Sequence, residues 1–229
     1  MYTDLTSVPS NYARLSPMPD QAGVVFVVDD DVSVRESLEL LIRSAGWQPK
    51  TCESAQQFLS LSRALTPNCL ILDINLPDLN GLDLQKLVSL ERTEMPIIFV
   101  TGYGDVPMTV RAMKAGAVEF LTKPVSDEVL LTAIEQALER SRVALAMRIE
   151  MQGLCDRFAS LSRREQEVMA LVISGLLNKQ VGFELGISEI TVKAHRGQVM
   201  RKMKARSLPE LVNMAGRLGI AGTGGASRI

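Results

Sequence analysis

Three aspartates, Asp29-Asp30-Asp31, close the apolar run VVFVV at 24–28, and a further one, Asp73, closes CLIL at 69–72. The run IIFV at 97–100 ends on Thr101, and VEFL at 118–121 leads to Lys123. Carboxylates gathered in one place repel and resist ionisation unless a cation joins them. A hard divalent ion with oxygen ligands, Mg2+, would satisfy Asp29, Asp30 and Asp73 together. A hydroxyl from Thr101 and an ammonium from Lys123 suit the oxygens of a phosphoryl group. Metal, carboxylate nucleophile, hydroxyl and lysine together describe phosphoryl transfer to an aspartate. Each feature alone has a plainer reading: an acidic run caps helices, threonine commonly ends a strand, and Lys-Pro makes a turn. Their recurrence at the same end of successive apolar runs favours the chemistry.

That chemistry requires the runs to lie side by side. From Val24 to about Glu139 the sequence alternates strand-sized apolar runs with helical segments, a weaker strand falling near 49–53. Ser54 with Gln57 has capping-box spacing, Asp105 precedes Pro107 near a helix start, and Gly46 and Gly116 follow helix ends. Five strands alternating with helices predict an α/β doubly wound five-stranded parallel sheet with right-handed crossovers. In a flavodoxin-like order the first and third strands are neighbours. Asp29, Asp30 and Asp73 then share the crevice outside the carboxyl ends, where such sheets bind ligands.

A long helix is expected from about Ser126 to Met151, with Val129, Leu130, Ala133, Ile134, Ala137 and Leu138 on one stripe. After it the strand pattern stops, and 161–218 reads as entirely helical, with capping-box spacing at Ser162–Glu165 and Ser207–Glu210. The segment 178–204 has helix-turn-helix spacing: a short helix at about 178–185, Gly186, the apolar turn residue Ile187, and Ser188 capping a second helix to about Lys204. On that second helix Val192, His195, Val199 and Met203 form the inward stripe. Thr191, Lys193, Ala194 and Arg196 are expected to face the major groove of duplex DNA, and Lys179, Arg201, Lys202 and Lys204 to bind phosphates. A basic helical face that is merely solvated is the alternative.

Charge supports the division. The net charge of −1 combines 12 basic and 19 acidic residues over 1–147, net −7, with 13 basic and 7 acidic over 148–229, net +6. A basic half suits a polyanion. Only Phe158 and Phe183 are aromatic after residue 147, which argues against single-strand binding by base stacking. The 46% apolar content excludes a disordered or fibrous chain. No run approaches a membrane span, and the start of the chain shows no secretory pattern. Cys52, Cys69 and Cys155 are odd in number and lack CxxC spacing, which suits reduced thiols. A soluble, cytoplasmic protein that does not engage membrane is expected.

FVVDDD (26–31), LDINLPDLNGLDL (72–84) and VTGYGDVPMTVRAMKAGAVEFLTKP (100–124) resemble the receiver domain of two-component response regulators. LSRREQEVMALVISGLLNKQVGFELGISEITVKAHRGQVMRKM (161–203) looks like the four-helix LuxR-type DNA-binding domain of the NarL/FixJ class, and the receiver half is most similar to the FixJ branch. The resemblance implies that Asp73 accepts a phosphoryl group from the phosphohistidine of a sensor histidine kinase. It implies that Mg2+ is held by Asp30 directly, by Asp29 through water, by Asp73 and by the carbonyl of Asn75. Thr101 and Lys123 would hold the phosphoryl oxygens, Phe120 would follow Thr101, and Lys123-Pro124 would be cis. Dimerisation on phosphorylation, promoter binding and an effect on the transcription machinery follow from the same resemblance; activation is the expected sign, with repression left open. Gly182 on the scaffold helix departs from good helix-forming sequence and points to close packing, while Gly197 removes a possible base contact from the DNA face.

The expected organisation is therefore an N-terminal extension at 1–22, a receiver at 23–140, a helical linker at 141–158, a C-terminal all-α four-helix helix-turn-helix domain at 159–220 and a tail at 221–229. Two rivals remain. An aspartate-nucleophile phosphatase would need a cap and typically an acid/base aspartate where Asn75 stands. A pure interaction module would bind DNA identically with and without phosphorylation.

Overall fold

The apolar runs form the strands. The computed structural model describes residues 23–62, 66–102 and 104–220, so the expected extension at 1–22 and the tail at 221–229 lie outside the described residues. The chain divides into two compact units, Met1–Ala146 and Met147–Ile229.

In the first unit, strands β1 (Val24–Val28), β2 (Gln48–Cys52), β3 (Asn68–Leu72), β4 (Ile97–Thr101) and β5 (Glu119–Thr122) make one parallel sheet in the order β2-β1-β3-β4-β5. β1, β3 and β4 are buried along their whole length, as strands covered on both faces must be. Their side chains alternate between two cores. Phe26, Leu70, Leu72 and Phe99 pack with Phe58, Leu84, Val88 and Ala112 from α2 (Ala55–Ser60), α3 (Gly81–Glu91) and α4 (Val106–Lys114). Val25, Val27, Ile71, Ile98 and Val100 face Leu38 and Ile42 of α1 (Val32–Ser44) and Leu130, Ile134 and Ala137 of α5 (Asp127–Ala159). The helix ends obey local chemistry. Asp31, Ser54, Asn80 and Asp105 each cap a helix through the side chain. Ser54 takes its bond from Gln57 N, while the Gln57 amide turns to Glu53 N and leaves the box incomplete.

α5 differs from expectation. It runs unbroken to Ala159, past the end expected near Met151 and through the helical linker expected at 141–158, while the second compact unit begins at Met147. Only Gly153 interrupts good helix-forming sequence there, and packing holds the extra turns: Leu154 is buried, with Met151 and Phe158 against it. The second unit otherwise comprises α6 (Arg163–Ile173), α7 (Asn178–Leu185), α8 (Glu189–Met203) and α9 (Leu208–Arg217). Val168, Val172, Val181 and Val192 form one small core, and Met169, Val199, Met203 and Leu211 belong to another. The turn between α7 and α8 is tight: Gly186 takes the left-handed conformation at φ 64°. A Cβ on Gly182 would stand 2.8 Å from the carbonyl oxygen of Ile187. The glycine buys that close approach at a small cost in helix propensity.

Candidate functional site

The strand order places the carboxyl ends of β1 and β3 side by side. Asp29 follows β1 and Asp73 follows β3; both are buried, while Asp30 is exposed. Carboxylate oxygens of Asp29, Asp30 and Asp73 lie within 4.8 Å of one another. Lys123, beyond β5, reaches over both buried acids, its Nζ donating to Asp29 Oδ2 at 2.6 Å and Asp73 Oδ2 at 2.9 Å. The lysine is carried there by β4, since its backbone N–H donates to the carbonyl of Thr101 at 2.8 Å, and the Lys123-Pro124 peptide is cis. Thr101 itself is fully buried at the end of β4.

The electrostatics follow from this crowding. Burial raises the Asp29 carboxyl above its ordinary pKa, against the opposing pull of Lys123 and the Asp31 N–H. Burial alone would lower Lys123, but hydrogen bonds to Asp29 and Asp73 outweigh it and hold the ammonium above its ordinary value. Two buried carboxylates therefore share one internal cation. Such a set of hard oxygen donors suits a divalent cation of Mg2+ type.

Three supporting residues escaped sequence reasoning. Arg35 on α1 donates to the backbone carbonyl of Asp29 at 2.7 Å and fixes the end of β1. Asp78 accepts from Ala55 N at 3.2 Å and Gln56 N at 2.8 Å, tying the loop after Asp73 to the start of α2. Gly104 leaves room for the Phe120 ring: a Cβ there would lie 2.9 Å from it. That ring is half-buried, with its centroid 5.9 Å from that of Phe99. Asn75 is exposed, its backbone N–H donating to Asp73 Oδ1 at 3.2 Å.

In the second unit the residues expected at DNA, Lys202 apart, fall into two groups. Lys179, Lys193, Ala194, Arg201 and Lys204 are exposed. Thr191 and Arg196 are half-buried on the flanks of α8: the Thr191 hydroxyl lies 2.9 Å from Ser188 Oγ, and Arg196 donates to Asn178 Oδ1 on α7 at 3.1 Å. His195 is half-buried beside buried Val192, Val199 and Met203, as its place on the inward stripe requires.

Lys202 has a structural task. It donates to Glu165 Oε2 at 2.6 Å and to the carbonyl of Ser160 at 3.1 Å. Glu165 is buried and completes the capping box of α6 by accepting from Ser162 N at 2.7 Å. The bond from Lys202 holds the Glu165 carboxyl below its ordinary 4.5. A depressed carboxyl stabilises the fold fully above its unfolded pKa and loses that contribution as pH falls through the folded value. Calorimetry of the full chain is thus expected to show wild type losing thermal stability faster than Lys202→Met as pH drops below about 4.5. Equal slopes would refute the role.

The first unit has the geometry of a receiver domain, and the helix-turn-helix that follows makes the chain a response regulator. The receiver family model, "Response regulator receiver domain", matches residues 25–135, and "Bacterial regulatory proteins, luxR family" matches 159–215. Nodulation protein W of Bradyrhizobium diazoefficiens is 50% identical over 198 residues, 86% of this chain and 87% of that one. The transcriptional regulatory protein FixJ of Rhizobium meliloti is 42% identical over 191 residues, 83% and 94% of the two chains. Among solved structures, the response regulator StyR superposes with a TM-score of 0.77 at 47% identity, covering 86% of this chain and 99% of its own. The chain belongs to the two-component response regulators with a LuxR-type DNA-binding domain. It is a DNA-binding transcription regulator and not an enzyme, which removes the phosphatase alternative. A kinase and DNA are the partners that this pair of domains implies. Among the described residues no helix is long and apolar enough to cross a membrane.

Proposed function

We propose that Asp73 is the phosphoacceptor, that Asp29, Asp30, Asp73 and the carbonyl of Asn75 hold Mg2+, and that phosphorylation by a sensor histidine kinase drives dimerisation, promoter binding and activation of transcription. The observation that carries the reading is the Lys123 ammonium held between Asp29 and Asp73 at 2.6 and 2.9 Å. Asp73 offers one oxygen to that ammonium and keeps Oδ1 against the Asn75 N–H. Its attack on phosphorus breaks the bond to the donor histidine, and the imidazole leaves with the electron pair. When bound, Mg2+ supplies positive charge to the phosphoryl oxygens. Lys123, already at the acceptor, then pairs with a phosphoryl oxygen, and Thr101 on the neighbouring strand donates its hydroxyl. Phe120, resting against Gly104 at the sheet's edge, lies where a movement of Thr101 alters the surface of α4 and β5.

Such a switch works only through contacts that differ between its two states. Dimerisation then adds two half-sites through effective concentration. The test is capture of genomic fragments by the acetyl-phosphate-treated protein and by Asp73→Asn. Enrichment of a common sequence by wild type alone is expected, with binding that falls steeply as salt rises. Identical enrichment by both proteins would leave an interaction module that ignores phosphorylation.

A further inference from the structure

On α8 the buried residues Val192, Val199 and Met203 define one direction. At about 3.6 residues per turn, the diametrically opposite line passes through Ile190, Ala194, Gly197 and Arg201. All four are exposed, and Ile190 is 80% exposed, so this line, and not Thr191 or Arg196, is the crest of the helix. The polar groups near its N-terminal half already have partners. Thr191 meets Ser188, Lys193 pairs with Glu189 at 2.9 Å, and Arg196 reaches Asn178. The side chains without polar demands there are Ile190 and Ala194, and Gly197 presents open space where a Cβ would stand. Cations stand at its C-terminal end, Arg201 on the crest and Lys204 beside it, both exposed.

We propose that Ile190, with Ala194 beside it, reads thymine C5-methyl groups in the major groove, so that Ile190 determines specificity by apolar contact. This rests on the reading of α8 as the DNA-contacting helix. The major groove offers one apolar feature, the thymine methyl, and an apolar side chain gains by covering it without breaking a hydrogen bond. The glycine one turn on lets the crest approach the base edges closely, while the cations at its C-terminal end hold the backbone phosphates.

The test uses the full-length, acetyl-phosphate-treated protein. The tightest duplex is selected from a random pool, and each thymine is replaced in turn by deoxyuridine, which removes the methyl alone. For wild type, at least one replacement per half-site is expected to weaken binding about fourfold, the effect of one buried methyl. In Ile190→Ala that penalty should vanish at one thymine, with the melting temperature unchanged because Ile190 is 80% exposed. Uracil duplexes that bind wild type as tightly as thymine duplexes overturn the methyl contact, as does an Ile190→Ala protein that keeps every penalty. A pool that yields no duplex refutes the DNA reading of α8 itself, and this proposal falls with it.

Discussion

Replacing Asp73 by asparagine is expected to abolish labelling by radioactive acetyl phosphate, together with the dimerisation that labelling drives. An amide lacks the free carboxylate oxygen a nucleophile requires, so labelling should fall at least about 100-fold. The fold should survive. Asparagine is nearly isosteric, its side-chain oxygen can still accept from Lys123, and Asp29 retains its own 2.6 Å bond to that lysine. Losing one of two crowded like charges also offsets the loss of an ion pair. Labelling and size-exclusion chromatography with acetyl phosphate and Mg2+ together make the check. An asparagine variant that dimerises as readily as wild type would show that the switch does not run through Asp73.

The second large effect concerns a residue that performs no chemistry. A Cβ on Gly81 would lie 2.4 Å from the carbonyl oxygen of Asp73 and 2.9 Å from the Cα of Ile74. Both neighbours are backbone, so no rotamer change relieves the contact. The Gly81 N–H also donates to the Ile74 carbonyl at 2.8 Å, clamping the start of α3 onto the loop after β3. Gly81→Ala must therefore part helix from loop. A cost of about 2 kcal/mol is expected from overpacking, a fall of roughly 6–10 °C in the receiver's melting temperature. Displacing Asp73 by even a fraction of an ångström should also slow labelling by roughly 10- to 100-fold. Thermal melts with the labelling assay decide the matter: wild-type labelling in Gly81→Ala would mean that the loop keeps its place without α3.

The sequence showed the residues of the acidic pocket more clearly than what supports them. β1, β3 and β4 were legible because burial on both faces demands uninterrupted apolar runs, and the turn into α8 because Gly186 and Ser188 mark a stop and a cap. Asp29, Asp73, Thr101 and Lys123 were legible because each stands at or just past the end of a strand. The supports were not, because their partners are distant in the chain: Asp78 finds α2 across 23 residues and Lys202 finds Glu165 across 37. A lysine committed to a buried glutamate looks, in one dimension, like any other basic residue on a helical face. The continuation of α5 past Met151 was hidden for another reason. Its last turns are held by packing of Leu154 and Phe158, which no local propensity records.

The order β2-β1-β3-β4-β5 leaves β3 in the middle of the sheet, with two strands on either side of it. Asp73 follows that central strand, and β4 and β5 carry Thr101 and Phe120 outward in successive steps, so the aromatic stands about 10 Å away at one rim. Both margins are less covered than the middle: β1 and β4 are wholly buried, while β2 and β5 each have four half-buried or exposed residues. Edge strands of that kind yield at little cost, whereas the end of β1 is fixed by Arg35 against the Asp29 carbonyl. The sheet is therefore stiff where the acids stand and compliant at its two rims, and Phe120 rides one of those rims.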